Sequence, residues 1–220
     1  MQTIRVWFTK HDEACYISHL DLQRVVQRAL KLAGVPVWYS QGFNPHIYLT
    51  FALPLPLGQQ SITESFDFKT EQPVDGEAIY WRLNRALPHG IDVYDITPAA
   101  MGPGEIAWAR YLIRFDAQEG DAGPLEQRID AFLSQKEIPV EKRTKRGGQK
   151  QFDLAPYLSR RQWLPFAQGA CLDITLPAGS VLNINPDLLL TALEAAASID
   201  PLDASICRTQ LLTADFREFE

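Results

Sequence analysis

The strongest constraint in this 220-residue chain is an order of hydrophobic periods that is read twice from end to end. Near the start, Ile4, Val6 and Phe8 alternate with Arg5, Trp7 and Thr9, the period of a half-buried strand. The period then changes. Leu22, Val25, Val26, Ala29, Leu30 and Ala33 recur at helical spacing, with Ser18 as N-cap, Asp21 in the first turn and Gly34 as the stop. Val35 to Tyr39 contains a proline and reads as an edge strand or extended segment. Ile47 to Leu53 and Glu64 to Thr70 read as strands, and Pro54 and Pro56, which lack an N–H, end the first of these. A helix is expected over about 75–87 and a strand over Ile91 to Ile96.

Pro98 to Glu105 holds two prolines and two glycines in eight residues, the composition of a linker. Beyond it the order approximately repeats. Tyr111, Ile113 and Phe115 mark a strand, Leu125, Ile129, Phe132 and Leu133 a helix, and Ile138 to Glu141 a short strand. Leu172, Ile174 and Leu176 then alternate, Leu189, Leu193, Ala196 and Ala197 line a helix begun near Pro186, and Ile206 to Leu212 closes the series. An antiparallel sheet with both helices packed on one face satisfies such an order. The expectation is therefore an α+β chain of two tandem ferredoxin-like domains, 1–98 and 106–220, joined by 99–105.

A hydrophobic fraction of 46% and a charged fraction of 22% fit a globular chain that buries a core, not a disordered one. Cys15, Cys171 and Cys207 are odd in number and far apart, which speaks against a disulfide framework and for a reducing, cytoplasmic compartment. No Cys-x-x-Cys pair offers a zinc or iron–sulfur site, so neither a metal nor another cofactor is expected. The chain begins without a basic leader and apolar run and carries no stretch of eighteen apolar residues, so neither export nor a membrane span is expected. Glycine-rich nucleotide loops and a nucleophile elbow are likewise missing.

Chemistry concentrates in two places. In YISHLDLQR, His19 falls in the first helical turn, where free amides and the helix dipole favour an anion and disfavour an imidazolium. Asp21, Arg24, Arg28 and Lys31 follow as one polar stripe, either a solvated face or, through Arg24 and Arg28, a phosphate contact. The loop Gln41, Gly42, Phe43, Asn44, Pro45 ends on His46. Gly42 suits a positive φ, and Phe43 either caps the core or stacks on a base. One crossover separates His46 from His19, so the two could share a site with Asp21 for acid–base cleavage of RNA; their spacing matches no metal signature. Ser18, Gln41, Gly42, Phe43, Asn44 and Glu64 are candidates for the surrounding pocket or loop.

The second place is basic. From Glu141 to Arg161 seven Lys or Arg stand against two acids, a local +5 in a chain of net charge −6, which leaves −11 on the rest. Lys142, Arg143, Lys145, Arg146 and Lys150 surround a Gly-Gly pair, as in a hairpin tip or loop, and are candidate phosphate contacts. Arg160 and Arg161, beside Trp163, extend the patch.

The runs ISHLDLQR, AGVPVWYSQGFNPH and FALPLPLGQQSITE followed by FDF resemble the radical-SAM-linked family that contains the DUF2344 domain. The resemblance spans most of the chain, with later echoes in KQFDLAPYL and at Arg208–Thr209. Its motifs fall on Ser18, His19, Leu20, Asp21, Arg24, Gly34, Gln41 to His46, Pro54, Leu55, Gly58 and Glu64. Ile47 stands where the family commonly has proline, and Asn185 precedes Pro186 where an arginine is usual. Family members are fused to a radical SAM protein or encoded beside one, often near genes for ribonuclease E/G and ribosomal proteins. The resemblance thus implies an RNA-binding accessory to a radical SAM partner, since this chain lacks that partner's three-cysteine cluster ligand. An RNA enzyme using His19 and His46, and a protein-only adaptor docking through Phe51 to Leu57, are the alternatives.

Overall fold

The computed structural model describes residues 1–117, 122–143, 148–197, 199–200 and 203–220. The chain is an α+β protein, and it divides into two compact units: residues 1–106 with 213–220, and residues 107–212.

The first unit runs β1 (Gln2–Lys10), α1 (His19–Leu32), β2 (Leu49–Phe51), β3 (Gln60–Thr70), α2 (Gly76–Ala86) and β4 (Ile91–Pro98). Its strands lie in the order β4-β1-β3-β2, every pairing antiparallel, which is the split βαβ arrangement of a ferredoxin-like sheet. Helix α1 begins where Ser18 caps it, its hydroxyl oxygen accepting from the Asp21 N–H at 3.2 Å, and its buried side chains Leu22, Val26, Ala29 and Leu30 form one stripe. Helix α2 is capped by Asp75, which accepts from the N–H groups of Glu77 and Ala78. Both helices pack on the same side of the sheet, where Leu22, Val26, Ile79 and Leu83 meet Ile4, Val6, Phe8, Phe66 and Phe68. Truncating a fully buried member such as Leu83 to Ala costs about 2–5 kcal/mol, part transfer and part cavity.

The opposite side of this sheet is different in kind. Arg5, Trp7 and Asp67 alternate with the core residues and so point away from the helices. Arg5 is 0% exposed and directly across the ladder from Asp67. Its Nε and Nη2 donate to the two carboxylate oxygens at 2.8 Å each, and the remaining donors reach the main-chain oxygens of Glu220 and Met101 at 2.6 and 2.7 Å. Phe219 lies over the guanidinium at 4.4 Å and meets Trp7 edge-on at 6.0 Å. These contacts place residues 213–220 with the first unit, where sequence reasoning had assigned them to the second.

The second unit contains β5 (Ile106–Asp116, from its second residue), α3 (Ala122–Leu133), β6 (Pro139–Arg143), β7 (Gln149–Asp153), β8 (Arg161–Leu164), β9 (Gly169–Pro177), α4 (Pro186–Ala197) and β10 (Ala204–Thr213, to its ninth). Here the order is β10-β5-β9-β8, the same topology as the first unit, with β6 and β7 set apart as a hairpin inserted ahead of β8. Helix α3 packs on β9 and α4, burying Ile129, Phe132 and Leu133. The short strand β8 was not legible: Arg-Gln-Trp-Leu is four residues long and has no clear alternation. Strand β2 is also shorter than the expected Ile47 to Leu53, because Tyr39 and Ile47 form only an isolated bridge before it. No helix among the described residues is long and apolar enough to cross a membrane.

Candidate functional site

The YISHLDLQR and SQGFNPH motifs build a helix start and a loop. The Ser18 hydroxyl donates to Asp21 Oδ2 at 2.7 Å, while Arg24 Nη1 donates to Asp21 Oδ1 at 2.7 Å. The Ser18 bond and then the Arg24 bond hold the Asp21 carboxyl below its ordinary range. His19 packs edge-on against Phe51, ring centres 5.1 Å apart. His46 is held elsewhere: its Nδ1 lies 2.8 Å from Ser40 Oγ and 3.2 Å from the Asn44 carbonyl, and its N–H donates to Ser40 Oγ at 3.1 Å. No hydrogen bond or ring contact among the described residues joins the two imidazoles. Among those residues, too, no group of three or more His, Cys, Asp or Glu is placed to hold a metal.

The rest of the loop presents Gln41, Phe43 and Asn44 to solvent, with Gly42 at φ +140° supplying a turn that a side chain disfavours. Phe43 is fully exposed and does not cap the core. Glu64 is buried, facing the helix side across from Phe8, so it is no part of a surface pocket. Arg28 is exposed on α1. Of the basic candidates, Lys142, Arg143 and Lys150 have their backbone on the β6–β7 hairpin, and Lys145 and Arg146 lie outside the described residues.

Two clefts absent from the sequence reading lie on the sheet faces turned away from the helices. The first, about 400 Å³, is lined by Trp7, Thr63, Tyr94, Asp95, Glu218 and Phe219 among others. A β-bulge makes it. Trp7 pairs with Asp95 but Phe8 pairs with Val93, so Tyr94 is the extra residue, and Tyr94 and Asp95 lie consecutively between the core-facing Val93 and Ile96. Asn84 of α2 locks that geometry, its amide donating to the Val93 carbonyl at 2.9 Å and its oxygen accepting the Val93 N–H at 2.8 Å. Partial burial raises the Tyr94 phenol above its ordinary range; a bond from Thr63 opposes this, and the carboxylates of Glu64, Asp95 and Glu218 add to it.

The second cleft, about 330 Å³, belongs to the second unit and is lined by Arg110, Arg160, Gln162, Asp173, Thr175 and Gln210 together with Ser159, Arg161 and Leu212. Trp108, Arg110, Leu112 and Arg114 share one face of β5, since Tyr111, Ile113 and Phe115 alternate with them into the core. Arg110 Nε donates to Asp173 Oδ1 at 2.7 Å, its Nη2 to Asp173 Oδ2, and its Nη1 to Gln210 at 3.3 Å. Burial alone would raise the Asp173 carboxyl, but the bonds from Arg110 and Gln162 outweigh it and hold the group low. Arg160 lies over the Trp108 ring at 5.9 Å and Arg114 over Phe166 at 5.8 Å. Arg161 turns the other way, donating to the Leu158 carbonyl and Ser134 Oγ at 2.9 Å each. Arg110, Arg114 and Arg160 thus stand on this face with Asp173. Their positions were hidden because Arg110 and Arg114 belong to a strand legible only by its apolar half.

Fold and clefts together define a two-unit α+β protein with polar clefts on the sheet faces turned away from its helices. It belongs to the family described as "Uncharacterized protein conserved in bacteria (DUF2344)", which matches over residues 3–186. No curated protein matches the chain. Among solved structures it is similar, at 10% identity and a TM-score of 0.43, to a chain of the "Crystal Structure of a Cbf5-Nop10-Gar1 Complex". That similarity covers 90% of this chain and 46% of the other.

Proposed function

We propose that this protein is an RNA-binding accessory that works with a radical SAM partner in the modification or maturation of tRNA or rRNA. The observation that carries the RNA-binding part is the open face of the second unit's sheet, where Arg110, Arg114 and Arg160 stand beside Trp108 and Phe166. Guanidinium groups suit phosphate oxygens, and aromatic rings beside them suit unstacked bases. The basic segment Lys142 to Lys150 adds positive charge in a chain that is otherwise acidic. The radical SAM partner rests on the family resemblance alone.

The test is fluorescence anisotropy of a labelled tRNA at several salt concentrations, with wild type, Arg114→Ala/Arg160→Ala and Lys145→Ala/Arg146→Ala. Binding should weaken with salt, and each lost phosphate contact should reduce the slope of log K against log salt by about one. Salt-independent binding, or variants indistinguishable from wild type, would remove the RNA reading. The adaptor reading keeps one observation of its own. Tyr16, Leu20 and Leu57 are exposed near the start of α1, where the Gly58 N–H donates to the Cys15 carbonyl at 3.0 Å.

A further inference from the structure

The cleft of the first unit has walls and a rim of opposite character. The half-exposed Tyr94 ring supplies the aromatic surface, over a floor of the buried Trp7 and Phe219, while Asp95, Glu218 and Glu220 supply carboxylates. Beneath the cleft, Arg5 is bonded to Asp67 and to two main-chain oxygens. Arg217 is drawn to Asp215 at 2.6 Å. The rim is therefore net negative.

The bulge is the second, separate indication. A regular strand would send one of Tyr94 and Asp95 into the core; the inserted residue brings both to the side of Trp7. Asn84 occupies the main-chain groups of Val93 on this edge strand, so a ligand here is met by side chains and not by an added strand. The aromatic chemistry is already in use a few ångströms away, where Phe219 covers the Arg5 guanidinium at 4.4 Å.

We propose that this cleft is a binding site for a guanidinium group, stacked on the half-exposed Tyr94 ring and paired with Asp95 and Glu218. A planar, weakly hydrated cation with a fork of donors fits such a surface better than an ammonium does. The group can come from a free alkylguanidine or from an arginine side chain of another protein, and the two are separable by experiment.

The experiment follows the Trp7 indole N–H, which donates to Thr97 Oγ1 at 3.2 Å and so reports on the cleft, in ¹H–¹⁵N spectra of the whole chain. Agmatine, the peptide Ac-Gly-Arg-Gly-NH₂ and its lysine counterpart are titrated separately. Saturable movement of that signal by agmatine or the arginine peptide is expected, with the lysine peptide weaker. Tighter binding of agmatine assigns the site to a small guanidine, and tighter binding of the peptide assigns it to a protein arginine. Asp95→Asn/Glu218→Gln should weaken binding about tenfold. The amide introduced by Asp95→Asn keeps an oxygen for the Ile96 N–H that Asp95 Oδ1 now accepts at 2.8 Å, and Glu218→Gln alone is an exposed change that tests the same pairing if the double variant misfolds. No saturable shift up to about 10 mM, an affinity unchanged in the variants, or equal binding of the lysine peptide would overturn the proposal.

Discussion

Replacing Asp67 with Ala tests the account of the first unit's open sheet face most severely. The substitution removes both carboxylate acceptors from a guanidinium that is 0% exposed, while the bonds to Glu220 and Met101 remain. A buried charge stripped of its counter-charge costs about 3–5 kcal/mol, more than the net worth of the intact pair. With a urea dependence of about 2–3 kcal/mol per molar, the unfolding midpoint of the first unit should fall by roughly 1–2.5 M. Hydrogen exchange of the β1 and β3 amides, followed by mass spectrometry across a urea series, confines the measurement to that unit. Replacing the pair together by Arg5→Met/Asp67→Leu should cost less than Asp67→Ala alone, because no orphaned charge is left. A fall of less than about 1 kcal/mol for Asp67→Ala would refute the reasoning, as it would mean that water or another group already compensates Arg5.

Gly90→Ala should destabilise the first unit by about 1–3 kcal/mol in a urea titration. Its φ is +82°, and an added Cβ would stand 2.5 Å from the His11 carbonyl oxygen and 2.9 Å from Ala14 Cβ. Asn84→Ala removes both side-chain bonds to Val93 and should cost about 1–3 kcal/mol, with loss of the Trp7 indole signal position if the bulge relaxes. His11 is raised above its ordinary 6.5, first by its bond to Asp92 at 2.7 Å and then by its bond to Asp12 at 2.8 Å. A raised histidine stabilises fully below about pH 6.5 and loses that contribution as pH climbs through the folded value. Asp92→Asn should therefore lower the His11 midpoint in an NMR titration and flatten the stability profile above neutrality.

The α+β class and most of the strands and helices were legible where apolar side chains keep a strict period. Ile4, Val6 and Phe8 announced β1, and Leu22, Val26 and Leu30 announced α1, because one face of each is a core face. The open faces were opaque for the same reason. Arg5 reads as an ordinary exposed strand residue until Asp67, 62 positions away, arrives across the ladder. Tyr94 and Asp95 read as plain alternation, since a bulge is a property of pairing and leaves no period of its own. Asp21 and Arg24 lie on one helix face, where Asp21 bonds both the Ser18 hydroxyl and Arg24.

Arg5 also sets a schedule for synthesis. It leaves the ribosome before its acceptors, which arrive in instalments: Asp67 with β3, Met101 after β4 and Glu220 only after the second unit's strands have been made. During translation the first sheet can pair while the groove around Trp7 still lacks Phe219 and its covering segment. A nascent chain is thus open at the very face that the finished protein closes last, and any factor that shields aromatic surface during synthesis would find it there.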